Sequence, residues 1–189
     1  MIDREYLEQV VELLKKGGII LYPTDTVWGI GCDATNSEAV AKIYALKKRC
    51  ETKSMITLMD SLDRVTLFFN DLPTVAYDLM ELSEKPLTLI LDGPKNIASN
   101  LISEDNTLAV RVADHEFCKT VCRKLMRPLV STSANISGEA TPKKFDEISE
   151  AIKNGVDLVV EKKYEKGATG KPSSIIKLSN NYSVTIIRE

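Results

Sequence analysis

The stretch Tyr22-Pro23-Thr24-Asp25-Thr26-Val27-Trp28-Gly29-Ile30-Gly31-Cys32-Asp33 decides how the chain is read. It begins where the apolar run Ile19-Ile20-Leu21 meets Pro23, which fixes φ and has no amide hydrogen to pass to a neighbouring strand. Hydroxyls, acids, the single tryptophan and two glycines then crowd into one segment. As mere connection this is costly, because buried hydroxyls need partners and glycine loses more chain entropy than other residues. It fits the lining of a pocket at a strand end, and an Asx-type turn at Asp25 fits the same spacing. Gly29-Ile30-Gly31 is not a G-x-G-x-x-G fingerprint, which disfavours a Rossmann dinucleotide site.

Upstream, Asp3 can cap a helix whose apolar positions Leu7, Val10, Val11 and Leu14 form one face, and Gly17-Gly18 stop it before the strand 19–22. Downstream, a loop from Thr24 to Asn36 precedes a helix that Ser37 can cap, with Val40, Ile43 and Tyr44 inward and Lys47, Lys48 and Arg49 at its C-terminal turn. Met55–Met59, Leu87–Leu91 and Leu108–Val112 read as strands, and residues 61–69 and 74–82 as helices. Arg111 interrupts the apolar run of its strand. Asp114 can cap a helix through Phe117, Val121 and Leu125, and Leu129-Val130-Ser131 is a short strand entering a Ser/Thr/Asn loop. Thr141-Pro142 reads as the cap and first turn of a helix burying Phe145, Ile148 and Ile152. Strands at 158–161, 174–178 and 184–188 follow. This order predicts a single α/β domain over residues 1–189, a twisted sheet of mixed parallel and antiparallel strands flanked by helices. Lys162–Lys171, rich in charge and glycine, is either a solvated loop or a mobile lid.

With 189 residues, 43% hydrophobic and 28% charged, the chain has ordinary globular composition and can bury a shaped pocket. Lys+Arg 25 against Asp+Glu 27 excludes a globally basic surface, so any polyanion must be met by a local patch. The four cysteines form no C-x-x-C pair, and Cys118 and Cys122 read as reduced core residues. Neither a signal peptide nor an apolar run of about 18 residues is present, which predicts a cytoplasmic protein with no membrane partner.

Three segments can carry chemistry. Lys47, Lys48, Arg49 and Lys53 concentrate positive charge after a helix, where arginine can fork onto two phosphate oxygens; a solvated helix end has the same composition. Ser131-Thr132-Ser133-Ala134-Asn135-Ile136-Ser137-Gly138 places hydroxyls and an amide where a buried strand gives out, in position for phosphate or ribose oxygens. Gly167–Ser173 fails as a P-loop, since Glu165 replaces a glycine and Pro172 separates Lys171 from Ser173. His115, the single histidine, reads as an exposed first-turn side chain, which argues against a Ser-His-Asp triad or a zinc site. What remains is the positioning of polyanionic reactants by cations and hydroxyls, with Mg²⁺.

Together these segments resemble the YrdC-domain family, the threonylcarbamoyl-AMP synthases. The resemblance is carried by Tyr22–Gly31, by Lys47 and Arg49 as Lys-x-Arg, by Pro86-Leu87-Thr88, by Leu108–Val112, by Ser131–Gly138 and by Pro172-Ser173-Ser174. It covers nearly the whole chain, and the length corresponds to the catalytic domain without the further C-terminal domain of longer relatives. The resemblance implies a deep, basic concave cleft and a nucleotidyl transfer that joins L-threonine, bicarbonate and ATP into threonylcarbamoyl-AMP and pyrophosphate for tRNA modification. By motif position it assigns Arg49, Lys53, Thr107, Ser133, Asn135, Thr141 and Arg188 to ATP, with Lys47 and Arg49 as the catalytic cations at the phosphates. Thr26, Arg111, Ser131 and Ser173 or Ser174 would hold threonine. ATP enters as substrate with Mg²⁺, no tightly bound cofactor or protein metal site is implied, and a tRNA threonylcarbamoyl transferase complex is the expected partner.

The sequence departs from the family pattern at Ser54, where proline is usual, at Leu58, where a histidine often helps to hold threonine, and at Ser83-Glu84-Lys85, in place of Trp-Pro-Gly. These bear on the substrate. A binding module for double-stranded RNA or tRNA is the competing class, and an ATP-dependent carbamoyl-type enzyme acting on another amine is the third reading.

Overall fold

The computed structural model describes residues 2–50 and 55–189. Helix α1 (Arg4–Lys15) starts at Asp3, whose carboxylate accepts the Tyr6 amide, and ends before Gly17, held at φ 78°. Strands β1 (Ile20–Tyr22) and β2 (Gly29–Gly31) form an antiparallel pair, so the segment expected to be loop contains a strand. Then come α2 (Ser37–Lys47), β3 (Ile56–Met59), α3 (Leu62–Thr66), α4 (Thr74–Leu82), β4 (Leu87–Asp92), β5 (Thr107–Val112), α5 (Glu116–Leu125) and β6 (Leu129–Ser133). Helix α6 (Glu150–Gly155) and strands β7 (Leu158–Val159), β8 (Ser174–Leu178) and β9 (Val184–Arg188) complete the order.

Among the described residues the strands form one nine-stranded sheet in the order β7-β1-β2-β6-β3-β5-β4-β8-β9. The pairs β1–β7, β3–β5 and β4–β8 are parallel and the other five antiparallel, which is the mixed sheet expected from the alternation of element types. Successive side chains of a strand point to opposite faces, and the core divides accordingly. Ile19 and Leu21 join Trp28, Val40, Ile43 and Val130 in one cluster, while Ile20 and Tyr22 join Val10, Leu14, Leu58, Phe117, Val121 and Leu129 under α1 and α5 in another. Cys118 and Cys122 are free, buried thiols in the second cluster; burial pushes Cys122 up to about 12.

Several caps differ from expectation. Asn36, not Ser37, caps α2, accepting the Glu38 and Ala39 amides. His115, not Asp114, is the N-cap of α5, and it is buried. No helix starts at Thr141-Pro142; a 3-10 turn at Phe145–Glu147 and the short α6 stand there, yet Ile148 and Ile152 are buried as expected. Among the described residues no helix is long and apolar enough to cross a membrane.

Candidate active site

The face covered by α1 and α5 is not covered along its whole length. Along β6, Leu129, Ser131 and Ser133 share that face; Leu129 packs into the α1–α5 cluster, whereas Ser131 and Ser133 line a cavity of about 220 Å³. The cavity spans the sheet from Gly29 of β2 past Ile56 of β3 and Arg111 of β5 to Ile175 of β8 and Arg188 of β9. Its lining includes Arg49, Arg111 and Arg188 and, among the described residues, no carboxylate.

Eight residues assigned from the sequence meet here: Thr26, Arg49, Arg111, Ser131, Ser133, Thr141, Ser173 and Arg188. They divide by depth. Thr26, Arg111, Ser131 and Ser173 are buried, while Arg49, Ser133 and Thr141 are half-buried and Arg188 is exposed. At the buried end, Arg111 Nη2 lies 3.2 Å from Asp25 Oδ1 and Nη1 donates to Thr26 Oγ1 at 3.2 Å, while Nε has no hydrogen-bond partner among the described residues. Thr26 is set by its own turn, its amide donating to Thr24 Oγ1 at 3.0 Å and its hydroxyl 2.9 Å from the same oxygen. Ser173 Oγ is 2.8 Å from Thr88 Oγ1, and its carbonyl accepts Arg188 Nε at 2.9 Å, which ties β9 to the cavity wall. Although Arg188 is exposed as a residue, partial desolvation of its guanidinium against the wall, with Arg111 nearby, lowers its pKa, and burial also lowers that of Arg49.

Gly29 permits a close approach, since a Cβ there would stand 3.2 Å from Ser131 Oγ and 3.4 Å from Thr132 O. Trp28 lines the cavity, and its Nε1 donates to Glu165 Oε1 at 2.8 Å. Glu165 belongs to the 162–171 segment, whose Thr169 and Gly170 amides donate to the carbonyls of Asp25 and Thr26, both at 2.9 Å. That segment is therefore bonded to the Asp25–Trp28 stretch without itself lining the cavity; nothing in its charge-rich sequence identified Glu165 as the tryptophan's partner.

The other assigned residues are placed elsewhere. Thr107 sits at the opposite end of β5 from Arg111, about 13 Å away by strand rise, where its hydroxyl bonds Ser103 and Asp105. Ser174 faces away, into an apolar groove beside α4. Asn135 turns its amide nitrogen onto the Ile136 and Glu139 carbonyls, at 2.9 Å each. Lys47 is buried, and its ammonium donates to the Ser133 and Asn135 carbonyls instead of lining the cavity. Lys53 and Ser54 lie outside the described residues. Leu58 is buried in the α1–α5 cluster. His115 is 6% exposed, correcting the expected surface position, and burial holds its pKa below the usual range.

A strand-end cavity on an α/β sheet, lined by three arginines and a row of hydroxyls, has the donor chemistry that suits phosphate and carboxylate groups. The chain belongs to the Sua5–YciO–YrdC family, whose model, described as Telomere recombination, matches residues 12–189. Threonylcarbamoyl-AMP synthase of Idiomarina loihiensis is 34% identical over 170 residues, covering 88% of this chain and 90% of that protein. Among solved structures, P. abyssi Sua5 complexed with L-threonine superposes with a TM-score of 0.87 at 23% identity, over 100% of this chain and 55% of that one. E. coli YciO superposes with a TM-score of 0.83 at 24% identity, over 100% and 91%. The chain thus spans little more than half of the Sua5 chain and nearly all of YciO; both likenesses are of fold.

Proposed function

We propose that the chain is a threonylcarbamoyl-AMP synthase, a nucleotidyltransferase consuming L-threonine, bicarbonate and ATP. The observation that carries this reading is the division of one cavity into a buried end, with Arg111, Thr26, Ser131 and Ser173, and a more exposed end, with Arg49, Ser133, Thr141 and Arg188. The buried end suits a small amino acid: Arg111 Nε has no hydrogen-bond partner among the described residues, and a guanidinium recognises a carboxylate by parallel hydrogen bonds. The exposed end suits a triphosphate. The name carried by the Idiomarina loihiensis relative supports threonylcarbamoyl-AMP as the product, and the L-threonine bound to P. abyssi Sua5 supports threonine as the amino acid.

In this reaction the threonine amine adds to CO₂ derived from bicarbonate, giving a carbamate and releasing a proton. A carbamate oxygen attacks the α-phosphorus, the bond from that phosphorus to the bridging oxygen breaks, and pyrophosphate leaves. No protein nucleophile is needed. The chain's contribution is to hold both reactants in one cavity and to set Arg49 and Arg188 against the charge that develops on the phosphates. Mg²⁺ would come with the nucleotide as its phosphate-bound counter-ion and would offset charge on the leaving pyrophosphate.

The test is pyrophosphate release from ATP and bicarbonate, with L-threonine, with other amino acids and with none. Release that depends on threonine is expected. Folded protein showing no such dependence would overturn the reading, and dependence on another amine would redirect it to a different carbamoyl adenylate.

A further inference from the structure

Lys47 ends α2 at 1% exposure, an unusual place for an ammonium. Its Nζ donates to the carbonyl of Ser133 and, at 2.6 Å, to that of Asn135, while its own carbonyl accepts the Ser137 amide at 2.8 Å. One residue is therefore bonded three times to the segment 133–137, which begins at Ser133, the last residue of β6 and part of the cavity lining. Two residues beyond Lys47, Arg49 reaches the same cavity from the other side.

We infer that Lys47 is a positioning residue: it latches the 133–137 loop to the end of α2, fixing Ser133 and Arg49 relative to each other, and does not itself contact the bound anion. The physical need is plain. At the end of β6 the Ser133 carbonyl, which accepts the Asn135 amide at 2.9 Å, and just past it the Asn135 carbonyl turn toward the Lys47 ammonium, and a buried carbonyl without a donor is disfavoured. A flexible four-carbon stem ending in several N–H bonds reaches both from the last helical turn, and the positive charge strengthens each bond. Lysine does this without protruding into the cavity; a residue that met the phosphates would leave the Asn135 carbonyl without this donor and the Ser133 carbonyl with the Asn135 amide.

The nearby charge acting on Lys47 is that of Arg49, and burial together with that charge brings the ammonium down to about 8. Deprotonation leaves two N–H bonds, enough for both carbonyls, so the latch survives where a phosphate contact would not. This separates the two roles.

The experiment has two arms on the full chain. In the first, amide hydrogen exchange is measured without ligand for the wild type, Lys47→Met, Lys47→Arg and Arg49→Met. Lys47→Met is expected to speed exchange at Asn135 and Ser137 at least about tenfold while α5 and β5 stay protected. Lys47→Arg, with donors for two carbonyls, should restore most of that protection, and Arg49→Met should leave the loop as in the wild type. In the second arm, wild-type affinity for ATP is measured by calorimetry between about pH 7.5 and 9.5; it should change less than about twofold, against roughly tenfold per unit above pH 8 for a lysine that binds phosphate. Loop protection kept in Lys47→Met while ATP affinity falls, or the steep pH dependence, would overturn the inference. Should Lys47→Met fail to fold, Lys47→Arg decides: native protection with native ATP affinity supports the latch, and native protection with lost affinity overturns it. The calorimetric arm rests on the nucleotide reading proposed above. The exchange arm does not, so a wild type that binds no ATP would count against that reading alone.

Discussion

Arg111, which lines the cavity, meets Asp25, which does not, at 3.2 Å, with side chains only 3% and 6% exposed. The acid orients the guanidinium, and Thr26 completes the grip through Nη1. Removing one partner leaves an uncompensated buried charge, so Asp25→Ala should lower unfolding free energy by about 3–5 kcal/mol in urea titration. The double variant Asp25→Asn/Arg111→Met should be less destabilised than the sum of its single changes. Strict additivity would mean that the two side chains do not act on each other.

Arg49→Ala should cut kcat/KM for threonylcarbamoyl-AMP formation by about a hundredfold or more, since it removes a cation from the phosphate end of the cavity. The midpoint of urea unfolding should move little, because a half-buried cation at a helix end has a small role in stability. Normal turnover would remove Arg49 from the phosphate site.

Two glycines of the opening segment should respond differently to alanine. At Gly31 a Cβ would stand 2.2 Å from Val130 O and 2.6 Å from Tyr22 Cε1, so Gly31→Ala should cost about 1–3 kcal/mol or more of stability through forced backbone movement. At Gly29 the nearest atom is Ser131 Oγ at 3.2 Å, a hydroxyl at the amino-acid end. Gly29→Ala should therefore raise the KM for threonine more than it lowers the melting temperature. A larger stability loss at Gly29 than at Gly31 would contradict this geometry.

These contrasts show what was legible beforehand. Strand-end hydroxyls such as Ser131 and Ser133, and an arginine interrupting an apolar strand, advertise a site because each would be expensive in a plain core. Motif position does not report which way a side chain turns. Ser173 and Ser174 are adjacent in the same motif, yet the period of two sends one into the cavity and the other to the opposite groove. Thr107 and Arg111 share a strand but stand at its two ends. The use of Lys47 on carbonyls depends on where β6 ends relative to α2, a tertiary fact with no local signal. Strand β2 was hidden because two glycines flank a single isoleucine, leaving too little periodicity to read.

The buried ammonium also marks the pH dependence of folding. Burial, and then Arg49, bring Lys47 from 10.5 to about 8, so the folded value lies below the unfolded one. Between those values the unfolded chain binds more protons, and stability rises with pH. Relative to Lys47→Met, the wild type should gain up to about 1.4 kcal/mol per pH unit between about pH 8 and 10 in urea unfolding. A difference that stays constant across this window would show that burial does not hold the Lys47 value down.

Trp28 gives the site a built-in reporter. It is the single tryptophan, it is 1% exposed and lines the cavity, and its ring lies 4.9 Å from that of Phe145. Its indole N–H is held by Glu165, from the segment whose Thr169 and Gly170 amides bond the Asp25 and Thr26 carbonyls. A ligand entering beside Trp28 alters the surroundings of the ring directly, so ATP should change its fluorescence in a saturable way. Glu165→Ala frees the indole N–H and removes a hydrogen bond to a charged group, worth about 1 kcal/mol at a half-buried site. That variant should shift the ligand-free emission to longer wavelength and weaken ATP binding about fivefold, whereas Glu165→Gln, which still offers an acceptor, should stay close to the wild type. If Glu165→Ala emits and binds as the wild type does, the contact between Trp28 and the 162–171 segment has no part in shaping the cavity.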